Sequence, residues 1–290
     1  MRSTGPAAGG RDDSARSRFV PGYLRLDRGD MLPSSGSWMI ERAALMGIVV
    51  QREFTVDRDD RREFERESRL GVWEGMRLLG SQMIAYGGWS LGGPGDVAVT
   101  NSAYADFDHW TATRAWGEFN SDPAMLAERE QVNAISAGRT RLVLSSRAHV
   151  IEYDDELSEP NPFHRAAGGP LSDLAPTFGL QSVVSETGFD IAAGERDEFI
   201  AISQDAIWPW YREQGARLMI VGRDPLRAVD QAVVMVAFPS IGHWHRTQGA
   251  AAANAPSEVA GALQRRALLT ANQQARLLMV QTAFGKPVAG

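Results

Sequence analysis

The chain has 290 residues, is 43% hydrophobic and 23% charged, carries a net charge of −6, and contains no cysteine. The missing cysteines exclude disulfides, thiolate nucleophiles, iron–sulfur clusters and cysteine-ligated zinc, and make a cytoplasmic location the simplest expectation. The negative charge argues against nucleic acid or an anionic membrane as partner, and no apolar run approaches the ~18 residues of a membrane span.

Residues 1–36 are rich in Gly, Pro, Ser, Arg and Asp without sustained periodicity. Such a composition buries too little apolar surface to offset chain entropy, so a disordered N-terminal arm is expected, without the apolar segment of a secretory signal. From residue 47, "GIVVQREFTV" reads as a strand rich in β-branched residues. "RREFERESRLGVWEGMRLLG" (61–80) follows Asp59–Asp60 and spaces Phe64, Leu70, Trp73 and Met76 as a helix does. "SQMIAYGGW" and "DVAVTNSAYA" read as strands around the turn "SLGGPG". A helical region over 106–137, broken near Pro123, and a closing strand in "RTRLVLSSRAHVIEY" complete the order β-α-β-β-α-β.

The stretch 154–180 has four prolines and three glycines and reads as a linker. Beyond it the pattern recurs at an offset of 135: Val49 falls on Val184, Phe54 on Phe189, Phe64 on Phe199, Trp73 on Trp208, Gly80 on Gly215, Gly87 on Gly222 and Val99 on Val234. One residue is then lost, so that His109–Trp110 fall on His243–Trp244, after which Arg141–Leu142 fall on Arg276–Leu277 at 135 again. The expected fold is α+β: two tandem ferredoxin-like βαββαβ repeats, 37–153 and 181–290. Strands such as "AVVMVAF" and "RLLMVQTAF" are apolar on both faces. The two sheets are therefore expected to pack sheet to sheet as an intrachain α/β barrel with the helices outside.

The opening strand of the second half, "RDEF" (196–199), the helix with Trp208 and the run "EQGARLMIVGRDPLRAVDQAVVMVAFPS" (213–240) resemble the NIPSNAP family of the dimeric α/β-barrel superfamily. The resemblance spans about 47–285 and implies a barrel with a pocket between sheet and helices. It departs from the family where a Ser-x-x-x-Arg pattern is often found: Ser240 is present, but Arg114 and Arg246 are off spacing.

Several residues could carry chemistry. His243 and His245 would share a face on a strand but diverge on a helix, which argues against a joint metal site, so no metal is expected. His109 stands beside Asp106 and Asp108, which could orient an imidazole as a base or simply cap the helix. His109 and His243 are the catalytic candidates. Trp73, Trp110, Trp208, Trp210, Tyr211, Trp244 and His245 are candidate linings of a ligand pocket, with packing as the competing role. Pro209 in "WPWY" is expected to kink its helix. "GGWSLGGPG" (87–95) lies between strands and lacks a following Lys-Ser/Thr, so it is a hairpin rather than a phosphate loop, and Lys286 is the only lysine. No cofactor is expected, with haem held by His164 of the linker as the one alternative.

The expected function is therefore NIPSNAP-like binding of a small apolar or aromatic molecule in a barrel pocket, with a homo-oligomer as the candidate assembly. A cofactor-independent monooxygenase-like or haem-dependent enzyme and a protein-interaction scaffold are the alternatives.

Overall fold

A computed structural model describes residues 46–73, 76, 80–113, 130, 136–158, 182–227 and 230–281. The arm 1–36, most of the linker with His164, and Lys286 lie outside the described residues. Eight strands dominate: β1 Met46–Val56, β2 Gln82–Leu91, β3 Val97–Tyr104, β4 Val143–Asp154, β5 Val183–Ile191, β6 Arg217–Arg223, β7 Gln231–Phe238 and β8 Thr270–Val280. Each half runs through the same order. In the first, β1 lies between β3 and β4 with β2 beyond β3; in the second, β5 lies between β7 and β8 with β6 beyond β7.

The two sheets do close on one another within the chain, as expected, and they do so by joining their edges. Edge strand β2 pairs with β8, and β4 pairs with β6, so all eight antiparallel strands form one closed ring, β1-β3-β2-β8-β5-β7-β6-β4. Edge strands carry unpaired N–H and C=O groups, and joining the halves edge to edge satisfies them. All eight strands come from one chain, so closure does not call for a second copy.

Each seam depends on a glycine. A Cβ on Gly87 would sit 1.9 Å from the Met279 carbonyl oxygen, and one on Gly222 would sit 2.2 Å from that of Glu152. No side chain fits where the two backbones come this close.

Outside the ring lie the helices. Helix α1 (Arg61–Glu67) and helix α3 (Arg196–Ile202) each continue into a π turn, Ser68–Val72 and Ser203–Ile207. In both, a buried serine bonds back to the carbonyl four residues earlier: Ser68 Oγ to Phe64 O at 2.6 Å and Ser203 Oγ to Phe199 O at 2.7 Å. Phe64 meets Phe54 at 5.3 Å between centroids, and Phe199 meets Phe189 at 5.0 Å. Pro209 follows the second π turn directly, in helix α4 (Trp208–Glu213); Ile207 and Trp208 keep right-handed helical backbone across the junction, and the wider π turn accommodates the missing N–H.

The second helical region opens with the short helices α2 (Phe107–Ala112) and α5 (Ile241–Arg246); before the last strand of each half, residues 136–140 and helix α6 (Ser257–Leu268) are helical. The break expected near Pro123 lies outside the described residues.

Strand register also corrects the sequence alignment. Gly87 pairs Val99, and Gly222 pairs Val233, so Val99 corresponds to Val233 rather than Val234. The one-residue slip therefore falls in the β2–β3 turn, before the second helix. Val49 pairs Ile151, and Val184 pairs Leu278, which sets β4 against β8 at an offset of 127. Leu142 thus corresponds to Leu269, and the Arg141–Arg276 match was accidental. Arginines at this corrected offset do match: Arg139 lies over Phe54 and Phe64, and Arg266 over Phe189 and Phe199.

Candidate functional site

Alternate residues of each strand point into the ring. On β1 these are Val49, Gln51 and Glu53, so the lumen turns from apolar to charged along the strand. The apolar part is a tight core that includes Val49, Ile84, Val99, Ile151, Tyr153, Val184, Met235 and Leu278. Tyr153 is fully buried there with no hydrogen-bond partner for its hydroxyl among the described residues, and burial followed by the nearby Asp155 pushes its pKa up.

Above this floor lies an ionic network. Glu53 and Glu186 are only 5% and 6% exposed. Glu53 accepts from Trp89 Nε1 at 2.9 Å, Arg276 Nη1 at 2.8 Å and Arg147 Nε at 2.6 Å. The second Arg276 nitrogen, Nη2, donates to Gln51 Oε1 at 2.7 Å and to Glu186. Gln51 donates to Asn101 at 3.0 Å and to Glu186. The Arg276 guanidinium also lies 4.2 Å over the Trp89 ring. Buried carboxylates persist as ions only when paired and hydrogen-bonded, and both are.

Beyond the network the lumen opens into a cavity of about 360 Å³, within the size range of small-molecule sites. Arg147, His149, Gly188, Asp224, Gln231 and Gln274 are among its lining residues. Gly188 stands where the other half has Glu53, and a Cβ there would meet nothing within 4 Å. His149 Nε2 lies 3.1 Å from Asp224 Oδ2, while Asp224 Oδ1 accepts the Leu226 N–H at 2.9 Å. At the rim Arg227 Nε approaches Asp224 Oδ2 at 3.6 Å, and its Nη1 approaches Asp190 Oδ1 at 3.8 Å.

The candidates drawn from the sequence lie elsewhere, in the outer layer. Trp73 packs on Tyr86 at 5.2 Å, and Trp110 packs against Ile48, Val50 and Tyr104. Trp208 is buried against β5 and β7, Trp210 is buried beside Ala252 and Val259, and Tyr211 contacts Trp210 and Phe238. Trp244 packs on the same cluster as Trp208, and His245 is exposed. The two catalytic candidates take part in helix ends. Asp106 accepts the His109 N–H at 2.7 Å, and His109 Nδ1 accepts the Ala105 N–H at 3.0 Å. Ser240 Oγ lies 2.8 Å from His243 Nδ1. A crevice between sheet and helices does exist in the second half, bordered by Trp208, Tyr211 and Arg266, but it holds only about 30 Å³, room for roughly one water.

His243 and His245 share a helix and diverge on it; among the described residues no cluster of three or more His, Asp or Glu is placed to hold a metal. A haem does not fit the described residues: the lumen space is lined by charged side chains, and its histidine is engaged by Asp224. No described helix is long and apolar enough to cross a membrane.

The lumen residues were missed because they look ordinary in sequence. One signal was available: polar residues two apart in otherwise apolar strands, as in Gln51 and Glu53, Arg147 and His149, Gln274 and Arg276.

No protein-family model matches the sequence, and no curated protein matches it. Solved structures share the fold. A protein from Lactobacillus acidophilus, provisionally described as a monooxygenase, is 10% identical with a TM-score of 0.52, covering 84% of this chain and 98% of that one. A second so described, from Fusobacterium nucleatum, is 12% identical with a TM-score of 0.51, covering 83% and 95%. A NIPSNAP domain protein from Burkholderia xenovorans is 23% identical with a TM-score of 0.30; it covers 37% of this chain and 99% of that one. For the first two the likeness is one of fold, and fold alone does not assign an activity.

Proposed function

We propose that the protein binds a small molecule in the charged end of the ring lumen, and that it arose by duplication of one NIPSNAP-like βαββαβ unit. The observation that carries the binding reading is the cavity at Gly188: open space beside a buried, pre-paired ionic network. Arg147, Gln231 and Gln274 supply hydrogen-bonding groups, while Val233 supplies apolar wall. The ligand is accordingly a compact body whose polar groups meet these side chains and whose apolar part rests on Val233, and its site differs from the sheet–helix gap expected from the sequence. Duplication is supported by the matched π turns, the seam glycines and the positive-φ Gly80 and Gly215, at 79° and 78°. An enzymatic reading is favoured by the His149–Asp224 contact, developed below.

The test is thermal stabilisation by a panel of small phenols, quinols and hydroxy acids. Gly188→Leu fills the cavity from a position where nothing blocks the side chain, and should abolish the stabilisation. His109→Ala and His243→Ala should leave it unchanged. Stabilisation that survives Gly188→Leu, or that disappears in either histidine variant, would place the ligand outside the lumen.

A further inference from the structure

We propose that His149 and Asp224 form a proton-transfer pair, with His149 removing an acidic proton from the molecule held in the lumen; this rests on the lumen-binding reading above. A carboxylate that accepts from one imidazole nitrogen leaves the other as proton acceptor and stabilises the imidazolium that forms. Asp224 meets His149 Nε2 at 3.1 Å and is itself held by the Leu226 N–H, so Nδ1 is the basic atom.

The comparison between halves sharpens this. By strand register His149 corresponds to Arg276, and Asp224 to Trp89. In one half the two positions carry a guanidinium stacked on an indole and joined to two buried carboxylates, a fully engaged structural contact. In the other half they carry an imidazole and a carboxylate beside open volume. Both face one lumen: a guanidinium held by two carboxylates on one side, an imidazole–carboxylate pair on the other.

The rim selects the chemistry. Arg147 is 67% exposed and Arg227 61%, so both can turn toward an anion that develops in the cavity. The substrate class is a small carbon acid or phenol whose conjugate base is an oxyanion. Its proton passes to His149 Nδ1 and its electron pair delocalises onto oxygen beside a guanidinium. Return of the same proton to a different atom completes a tautomerisation, with no oxidant or co-reactant consumed.

The experiment uses 5-nitrobenzisoxazole, whose C3–H is removed by a base as the ring N–O bond breaks, yielding a coloured cyanophenolate. Binding is read by tryptophan quenching and turnover by absorbance. Wild type is expected to bind and open the probe. Gly188→Leu should abolish binding. His149→Gln should bind normally but turn over at least about 100-fold more slowly, the lower end of general-base contributions. Asp224 is a positioning residue: Asp224→Asn removes its charge but retains a hydrogen-bonding side chain, and should move the acidic limb of the pH–rate profile, where the base becomes protonated, to lower pH. The other charges facing His149, namely Arg147, Arg276, Glu53, Glu186, Asp190 and Arg227, are the same in both proteins, so the displacement reports Asp224. Binding blocked by Gly188→Leu, with no turnover or turnover indifferent to His149→Gln, overturns the proton-transfer pair and leaves the lumen site standing. Absence of probe binding to wild type, or binding indifferent to Gly188→Leu, overturns both.

Discussion

Replacing Gly222 by alanine tests whether the ring must close at its thinnest seam. Gly222 faces Tyr153 where β6 meets β4, and that seam consists of only two register pairs. The added Cβ would lie 2.2 Å from the Glu152 carbonyl oxygen and 2.9 Å from Ile151 Cγ2. Ordinary contact begins at 3.4 Å, so the strands must part by about 1.2 Å. Backbone carbonyls cannot swing aside as a side chain can, so the separation falls on the ladder itself. Losing two bonds worth about 0.5–1.5 kcal/mol each, together with overpacking beside Ile151, gives a loss of about 2–4 kcal/mol. For a domain of this size that lowers Tm by about 5–15 °C. Calorimetry measures the change, and amide exchange should quicken in β4 and β6 while β1 and β5 remain protected. Gly188→Ala is the control, because its Cβ meets nothing within 4 Å. It should be neutral or stabilising by up to about 1 kcal/mol through a less flexible unfolded chain. A Gly222→Ala protein melting within about 1 °C of wild type, or equal losses at both glycines, would refute the steric reasoning.

Two further outcomes follow from the buried charges and phenols. Arg276→Met leaves Glu186 without its guanidinium, while Glu53 keeps Arg147 and the Trp89 N–H. A loss of about 3 kcal/mol in denaturant unfolding is expected, at the lower end for breaking a buried pair, and Glu186→Gln added to that variant should recover part of it; an unchanged midpoint would show that the network carries no stability. Burial raises the pKa of Tyr86, Tyr104 and Tyr153 above the ordinary value of 10.0. The unfolded chain then loses these protons first, so stability is intact below pH 10.0 and falls as pH rises through the raised folded values. Phenolate absorbance should therefore appear together with unfolding; ionisation of all five tyrosines near their ordinary value in a folded protein would contradict the burial argument.

Much of the architecture was legible before the structure, because its signals are local. The helices beginning at Arg61 and Arg196 lie where Asp59–Asp60 and "RDEF" place them, whereas the π turns that follow, with Ser68 and Ser203 bonded back to Phe64 and Phe199, were not expected from the sequence. Asp106, read as a possible cap, does cap its helix; Ser240 caps the corresponding one, a role not assigned to it from the sequence. The strand β8 was placed late, because "TANQQ" looks polar; its first residues are exposed on the ring and paired all the same with β5. The tryptophans drew attention as large, rare residues, yet size is also what makes a residue useful for covering a sheet.

What the sequence alone determined is the succession of strands and helices and the correspondence of its two halves, since hydrophobic period and cap chemistry act over a few residues. Only the tertiary structure decided how the halves join, because edge pairing links residues such as Gly87 and Val280, far apart in the chain and without local signature. Closure into a ring made the inner face a lumen. It brought Gln51, Glu53, Glu186 and Arg276 together on one side and His149 to Asp224 on the other, and so turned scattered polar residues of ordinary strands into the lining of one cavity.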